Sequence, residues 1–386
     1  MKIKSLLLID PGTSGCAGLY IAEIYENLHH RDNVEVAVSY YFKEKYGKKI
    51  FYKYSDLAVQ AKYRLGKLRL YVRGCELIYA LLRMLLYLLG GDVKVVCYAL
   101  SSNVKLELWF LWIAKRILRL KICIICHDVI PFIGPDENLD AKVRWRARFY
   151  HLADTLIVHN ANSFNELVRF FKVPPYKVRE FPFPVSNIQR LRLGWDSLVE
   201  QPIAGRSFLF IGHLRQEKGI EVLLNAWRIC LREGIDWSLT IAGNVPPGRA
   251  KVFDQYTLSK VRYLLGFLPD AEYLRTICEA SCVVLPYVRG TNSGIPPTVL
   301  ALERDLIVSD IEMFRNNPLI AGDCFFKSGD SEELSRKMLD YAKMSDENRA
   351  ARSLLRRRQI EEYRGNFRAG VNKVFDELLS SSSNPV

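Results

Sequence analysis

The sequence predicts an α/β protein with two domains, each a parallel β-sheet covered by helices on both faces. Its 386 residues are enough for about two or three domains of ordinary size. Hydrophobic residues make up 49% and charged residues 25%, which is a globular composition. Short apolar strands alternate with amphipathic helices, the pattern typical of parallel sheets. The alternation lapses once, between about Val185 and Gly205, and then restarts.

Strands are assigned to short apolar runs, and helices to longer segments with apolar residues three and four apart. In the first half the predicted order is strand IKSLLLID, loop PGTSGCAG, helix LYIAEIYENLHH, strand VEVAVSYY, helix ELIYALLRMLLYLLG, strand VKVVCYAL, helix LELWFLWIAKRILRL, strand KICIICHD, helix VRWRARFYHLA, strand TLIVH and helix SFNELVRFF.

The same rules predict the second half. The order is strand SFLFIGHL, helix GIEVLLNAWRICLREG, strand WSLTIAG, strand VRYLLGFL, helix DAEYLRTICEAS, strand CVVLPY, helix PPTVLALE, strand DLIVSD, helix SEELSRKMLDYAKM and a long C-terminal helical region from NRAARS to DELL.

These elements predict two Rossmann-like domains at 1–190 and 207–386, joined by a linker at 191–206. Packing of the last helix back on the first domain is left open. Ligands of such sheets bind beyond the carboxyl ends of the strands. Two domains facing each other across a cleft would therefore bind a ligand between them.

The stretch KICIICHDVIPF contains C-x-x-C-H, the spacing of a c-type haem attachment site. It is also a run of β-branched and apolar residues, which predicts a buried strand. Residues three apart on a strand point to opposite faces, so Cys123 and Cys126 would not converge on one ligand. Structural cysteines, and a strand that ends in His127 and Asp128, are therefore favoured over haem or metal binding. A lone histidine at a strand end is more often structural, but the adjacent Asp128 favours a functional role for His127.

Two loops could bind anions. In FIGHLRQEKG a strand ends at Gly212, and the loop before the next helix carries Arg215 and Lys218. Two cations at that position could bind a diphosphate, and a solvated charged turn is the alternative. In the loop RGTNSG, backbone N–H groups near Ser293 and Gly294 precede a helix whose first turn contains Pro296 and Pro297. An ordinary strand–helix turn is the alternative there.

The run from FIGHLRQEKGIEVLLNAW through LTIAGN to YVRGTNSGIPPTVLALERDLIVSD resembles the C-terminal half of retaining glycosyltransferases of the GT-B fold, from the large family four (glycosyl transferases group 1). The stretches ICHDVIPF and LADTLIVHNANSFNELVRFFKVPPYKV resemble matching parts of the N-terminal half. The resemblance covers nearly the whole chain and is looser before residue 90.

The resemblance implies a sugar transferred from a UDP- or GDP-linked donor to a lipid-linked saccharide acceptor in cell-surface polysaccharide biosynthesis. It implies hexosyl transfer with retained anomeric configuration, and neither a metal nor a cofactor. His127 and Asp128 would be catalytic residues. The implied donor-binding residues are Gly15, Arg215, Lys218, Gly243, Asn292, Ser293, Gly294 and Thr298.

The sequence departs from the family pattern at several positions, of which two bear on catalysis. The pair of glutamates that often contacts the sugar and the ribose falls at Gly290 and Thr298. The absence of both carboxylates keeps a second hypothesis open. In it, the chain is a catalytically inactive GT-B-fold protein that acts as a binding or regulatory partner.

The net charge of +13 favours anionic partners. No nucleic-acid recognition motif is present, so nucleic acid is not expected. The basic, aromatic segments 43–73 and 109–121 could dock on anionic lipid, or they could be core-facing helices with solvated basic sides. No secretory signal or spanning apolar segment is apparent in the sequence. The expected location is cytoplasmic, with peripheral attachment to the inner face of the membrane left open.

Overall fold

The structure, a computed structural model of the chain, divides into two compact units. Unit 1 comprises Met1–Pro184 with Gly365–Val386, and unit 2 comprises Val185–Arg364. The residues that it describes are 5–10, 16–28, 31, 33–38, 68–100, 105–127, 129–130, 139–185, 206–246, 248, 252, 256–290 and 293–380. The predicted linker 191–206 lies outside them except for its last residue, and the predicted domain boundaries stay a prediction.

Unit 1 alternates strands and helices along the chain. Its described elements are β1 (Ser5–Asp10), α1 (Cys16–Leu28), β2 (Val34–Val38), α2 (Leu68–Gly90), β3 (Val93–Leu100), α3 (Lys105–Arg116), β4 (Lys121–Cys126), α4 (Leu139–Leu152), β5 (Thr155–Val158), α5 (Ala161–Asn165), a π-helical turn (Glu166–Phe170), a 3-10 turn (Pro175–Lys177) and β6 (Val178–Glu180).

The six described strands of unit 1 form one parallel sheet in the order β2-β1-β3-β4-β5-β6. Strand β1 is buried along its whole length, and β4 is buried except at Lys121. Side chains that are apolar on both faces of a strand are expected where helices cover both faces of a sheet. Because the strands are parallel, the loop after each strand begins at the same edge of the sheet, the carboxyl edge. His127 follows β4 at that edge.

Unit 2 repeats the arrangement. Its described elements are β7 (Ser207–Ile211), a 3-10 turn (Gln216–Lys218), α6 (Ile220–Arg232), β8 (Ser238–Gly243), β9 (Val261–Leu265), α7 (Asp270–Glu279), β10 (Cys282–Leu285), α8 (Ile295–Ala301), β11 (Asp305–Ser309), α9 (Glu312–Arg315), a 3-10 turn (Gly322–Cys324), β12 (Phe325–Phe326), α10 (Ser331–Lys343) and α11 (Asp346–Ser380), whose residues from Gly365 belong to unit 1.

The described strands of unit 2 form a second parallel sheet, in the order β12-β11-β10-β7-β8-β9. The chain runs outward from β7 through β8 to β9, then returns to β10 on the other side of β7. Strands β7 and β10 are thus neighbours, although about 70 residues separate them in sequence. The α/β prediction with two Rossmann-like sheets is confirmed.

The structure differs from the predicted elements at the sheet edges. Strands β6 and β12 were not predicted, and both lie at the end of a sheet. They have three and two residues, and β6 carries Arg179 and Glu180. Such segments are too short and too polar for apolar periodicity to reveal them. The helix predicted at SFNELVRFF begins as α5 but continues as a π-helical turn from Glu166.

The C-x-x-C-H motif is the end of a strand, as predicted. Cys123 and Cys126 are buried in β4, and Cys123 lies opposite Cys97 of β3. Burial raises the pKa of both thiols, which keeps them protonated and poor as ligands. Over the described part of the chain, no cluster of three or more His, Cys, Asp or Glu side chains could hold a metal ion. Both cysteines are thus core residues of β4, as predicted.

Two glycines of α11 give a matched test of packing in unit 1. A Cβ added at Gly370 would lie 2.6 Å from Cβ of Phe181, whereas one at Gly365 would meet no other described atom within 4 Å. Glycine costs up to about 1 kcal/mol relative to alanine inside a helix. We expect Gly365→Ala to raise the free energy of unfolding by up to that amount.

Gly370→Ala should instead lower the free energy of unfolding by about 1–2 kcal/mol, because the buried Phe181 must move. Urea unfolding of both variants measures the difference. Equal stabilisation by the two substitutions would contradict this packing.

Candidate functional site

The candidate site of unit 2 is the carboxyl edge of its sheet, at β7 and β10. These two strands form the topological switch point, where successive crossovers leave in opposite directions and the loops separate. Sheets of this kind bind ligands at that position. The loop after β7 contains Arg215 and Lys218, and the loop after β10 contains Ser293 and Gly294.

The two loops are held together by backbone contacts. Gly219 has φ +67°, and a Cβ added there would lie 1.8 Å from the Pro286 carbonyl oxygen. Only a residue without a side chain allows that approach. The N–H of Val288 also donates a hydrogen bond to the Glu217 carbonyl, at 3.0 Å. The position of the β7 loop is therefore fixed by the β10 loop.

Gly243, at the end of β8, plays a similar part on the other side of β7. Its φ is +133°, and an added Cβ would lie 1.8 Å from the Gly212 carbonyl oxygen. The N–H of Leu214 donates to the Asn244 carbonyl at 2.9 Å. The ends of β7 and β8 are thus packed backbone to backbone.

The structure brings the two predicted cations into one turn. Lys218 is half-buried, and its Nζ lies 3.6 Å from the centroid of the Tyr287 ring. Arg215 is exposed, and its guanidinium lies 3.8 Å from the Glu217 carboxylate. An exposed ion pair of this length contributes little to stability.

The second predicted loop uses several of its polar groups internally. Helix α8 begins at Ile295, and its first turn contains Pro296 and Pro297, as predicted. The Ile295 N–H donates to Ser293 Oγ at 3.4 Å, and the Thr298 hydroxyl donates to the Gly294 carbonyl at 2.8 Å. Thr298 is buried. Asn292 lies outside the described residues.

Tyr287 connects this loop to Lys218. It follows β10 and is fully buried, and burial raises the pKa of its hydroxyl, an effect that the nearby Ser293 opposes. The phenol therefore stays neutral. Its carbonyl accepts hydrogen bonds from Ser309 Oγ at 2.5 Å and Ser328 Oγ at 3.3 Å.

In unit 1, the predicted His127 lies in an aromatic cluster at the carboxyl edge of the sheet. Its ring centroid is 4.5 Å from that of Tyr20 of α1, 5.8 Å from that of His159 and 6.1 Å from that of Phe183. Asp128 and Gly15, also predicted for the site, lie outside the described residues.

His159 is the buried member of the histidine pair. Its Nδ1 lies 3.2 Å from the Phe181 carbonyl oxygen, so Nδ1 carries the proton that the contact requires. Burial, with a smaller effect of His127, lowers the pKa of His159 to about 3. His159 is therefore neutral at physiological pH. Its Nε2 is buried and has no hydrogen-bond partner among the described atoms.

Sequence reasoning missed Tyr287, His159 and Tyr20. A signal existed for His159, because TLIVH ends in a histidine just as KICIICH does. Tyr287 and Tyr20 gave no such signal, because an aromatic residue after an apolar strand or inside an apolar helix is typical of a core. Their contacts depend on the spatial order of the strands.

Two family models match the chain. Residues 205–343 match the family described as Glycosyl transferases group 1. Residues 30–169 match the family described as Glucosyltransferase 3-like, N-terminal domain. The matches support a glycosyltransferase.

Curated relatives point the same way. Two proteins of Escherichia coli, each named serotype-specific mannosyltransferase WbdA, are 22% identical to the chain over 256 residues, 60% of its length. The matched region covers 31% and 30% of these relatives. The chain thus spans about a third of their length.

Solved structures establish the fold class. HepE of Anabaena in complex with UDP-glucose aligns with 98% of this chain and 99% of its own, with a TM-score of 0.65 and 13% identity. Sucrose-phosphate synthase of Thermosynechococcus elongatus covers 98% and 100%, with a TM-score of 0.65 and 14% identity. The alignment with a Rickettsia africae glycosyltransferase covers 100% of each chain, with a TM-score of 0.67 and 12% identity. The predicted GT-B fold class is confirmed.

The depressed pKa of His159 predicts a pH dependence of stability. An unfolded histidine binds its proton near pH 6.5, whereas folded His159 does so only near pH 3. Between those values the unfolded state binds more protons. Folding stability should therefore fall on acidification from pH 6.5, by at most about 1.4 kcal/mol per pH unit from this residue.

Urea unfolding across this pH range should show a flatter profile for His159→Phe than for the wild type. His151→Gln, at an exposed position of α4, is the control and should keep the wild-type slope. Identical slopes for His159→Phe and the wild type would rule out a buried neutral His159.

Proposed function

We propose that the chain is a retaining glycosyltransferase that moves a hexose from a nucleoside-diphosphate sugar to a saccharide acceptor in cell-surface polysaccharide biosynthesis. The proposal narrows the glycosyltransferase assignment to a mechanism, a donor class and a pathway. Neighbouring structures hold UDP or UDP-glucose, and the WbdA relatives are named mannosyltransferases, so both UDP- and GDP-linked hexoses are candidate donors.

The observation that carries the proposal is the placement of Lys218 and Arg215 at the switch point of unit 2. A diphosphate is a compact dianion that needs fixed positive charge, and guanidinium binds phosphate oxygens in a bidentate manner. Lys218 stands on a loop whose backbone is fixed by Pro286 and Val288. The loop is thus preorganised for an anion.

The chemistry follows from where charge develops. As the bond between the anomeric carbon and the diphosphate oxygen breaks, negative charge grows on the leaving diphosphate, and Lys218 and Arg215 stabilise it. The acceptor oxygen bonds to the anomeric carbon on the face that the diphosphate leaves. Attack on that face retains the anomeric configuration, and the acceptor proton passes to a diphosphate oxygen. His127 is proposed to contact the transferred sugar.

A catalytically inactive binding protein is the second candidate. Gly290 and Thr298 occupy the positions where the family often has glutamates. An added Cβ at Gly290 would lie 3.4 Å from the Met313 side chain, and the Thr298 hydroxyl already donates to Gly294. Neither position supplies a carboxylate. Binding of a donor without its turnover favours this second candidate.

Lys218→Ala should reduce turnover at least 100-fold, because it removes a preorganised cation from the leaving group. Lys343→Ala, at an exposed position of α10, is the matched control and should leave turnover unchanged. The measurement is transfer of labelled hexose from UDP- and GDP-linked donors to membrane extracts.

Near-normal hexose transfer by Lys218→Ala would show that Lys218 is not part of the donor site. Thermal melting with UDP, GDP and ADP tests binding separately, since a ligand at a hundred times its Kd adds about 2.7 kcal/mol to stability. Stabilisation of the wild type without hexose transfer would select the inactive candidate.

We further propose that unit 1 docks on an anionic membrane surface, where a lipid-linked acceptor would lie. Helix α2 is apolar on its outer face as well as its inner one. This outer face consists of residues that are 45–74% exposed: Tyr71, Ile78, Tyr79, Leu82, Leu86 and Leu89. Helix α3 packs beside α2 and adds exposed Trp109 and Trp112.

The charges around this surface fit anionic lipid. Arg83, Lys105 and Arg116 are exposed on the two helices, whereas the carboxylates of α2 and α3 are Glu76, which is partly buried, and Glu107, which is buried. Tryptophan, tyrosine and arginine beside leucine are typical of helices that lie in the lipid interface. No described helix is long and apolar enough to cross a membrane. Segment 43–73 is described only from Leu68, and the cytoplasmic location stays a prediction.

The double variant Leu82→Ser/Leu86→Ser should reduce binding to phosphatidylglycerol vesicles at least tenfold, since each buried leucine contributes about 1.5 kcal/mol or more. Phe267→Ala, which removes an exposed aromatic side chain of unit 2, is the control. Vesicle flotation measures binding. Equal flotation of the double variant and the wild type would exclude lipid as the partner of the outer face. A wild-type dimer that the double substitution dissociates would exclude it as well.

A further inference from the structure

The contact between Lys218 and Tyr287 has a geometry that the proposed donor site alone does not explain. The 3.6 Å from Lys218 Nζ to the ring centroid is shorter than in the other described cation–aromatic pairs, which span 4.7–6.0 Å. The Tyr287 ring is fully buried, so the ring face that contacts the ammonium is shielded from water. A cation over a desolvated ring is held more strongly than one at an exposed site.

The ring is fixed independently of the lysine. It packs against Phe314, with centroids 5.2 Å apart, and its backbone carbonyl accepts hydrogen bonds from Ser309 and Ser328. These three residues come from α9, β11 and the segment before α10, not from the β7 loop. The ring is therefore a rigid surface on which the ammonium rests.

A lysine on a loop normally loses side-chain entropy when it is fixed by a ligand. An ammonium that already rests on a ring has lost much of that freedom before the ligand arrives. The ammonium has three N–H donors, and a ring on one side leaves donors for phosphate oxygens. The ring and a diphosphate can thus contact the same ammonium together.

We propose that Tyr287 is a positioning residue for the donor diphosphate, holding the Lys218 ammonium on its ring face. This inference rests on the proposed function, because it assigns Lys218 to the diphosphate. It adds a residue that the loop sequence RQEKG does not contain. The hydroxyl of Tyr287 is not required for the role, whereas the ring is.

The central experiment replaces Tyr287 with phenylalanine and then with phenylalanines that carry one, two and three fluorines. Fluorination withdraws charge from the ring face but leaves the shape almost unchanged, so the variants should fold. Affinity is measured for whichever of UDP, GDP and ADP most stabilises the wild type. It should be near wild-type for Tyr287→Phe and fall stepwise with fluorination, to roughly a tenfold loss. Affinity that is independent of fluorination would overturn the proposal.

A double-variant cycle gives a second measure. Tyr287→Leu should weaken nucleotide binding about tenfold in the wild type and have little further effect in the Lys218→Met background, because both changes remove one interaction. Additive losses would indicate that the ring acts through packing alone and would overturn the role.

A ligand-free measurement separates this inference from the proposed function. The ring should shift the NMR signals of the Lys218 Hε protons upfield in the free protein, and Tyr287→Leu should abolish the shift. An upfield shift with no binding of UDP, GDP or ADP would contradict the donor site while leaving the lysine–ring contact intact. No upfield shift would refute the positioning of Lys218 directly.

Discussion

The close approach of the Gly219 backbone to the Pro286 carbonyl is the contact on which the candidate site of unit 2 depends. It fixes the loop after β7 against the loop after β10, and the Val288 N–H bond to Glu217 continues the same contact. A side chain at Gly219 would separate the loops and remove Lys218 from the face of Tyr287. Without that contact, RQEKG is a solvated turn, the alternative that its residues alone leave open. The strand order thus fixes the backbone of the loop that carries both charged residues.

The ionisable side chains of the two candidate regions lie in opposite environments. In unit 2, the cations Arg215 and Lys218 stand on an exposed or half-buried loop, where a positive charge costs little in water. In unit 1, His159 is buried beside aromatic rings and stays neutral, since burial penalises its charged form. A neutral histidine next to His127 adds no charge to this part of unit 1.

The interior of the fold was predictable from the sequence because the central strands are continuous apolar runs, such as SLLLID and KICIIC. Strands β6 and β12 were not, because edge strands of two or three residues bury too little to leave a pattern. The same division applies to the site. Lys218 and Arg215 could be proposed as site residues because charge after a buried strand is conspicuous. Tyr287 was missed because its ring looks like core until β10 is known to lie beside β7, a pairing that no local sequence signal specifies.

Helix α2 imposes a constraint of its own. A helix apolar on one face is stabilised by packing that face on the sheet, but the outer leucines and tyrosines of α2 gain nothing from the described core. Such a surface promotes aggregation unless a partner covers it, and exposed patches of this kind mark interaction sites. The neighbouring arginines and lysine make an anionic lipid surface a better partner than another apolar protein face. A transferase whose acceptor was a free sugar would gain nothing from this surface, whereas one whose acceptor is anchored in lipid would meet it within the membrane plane.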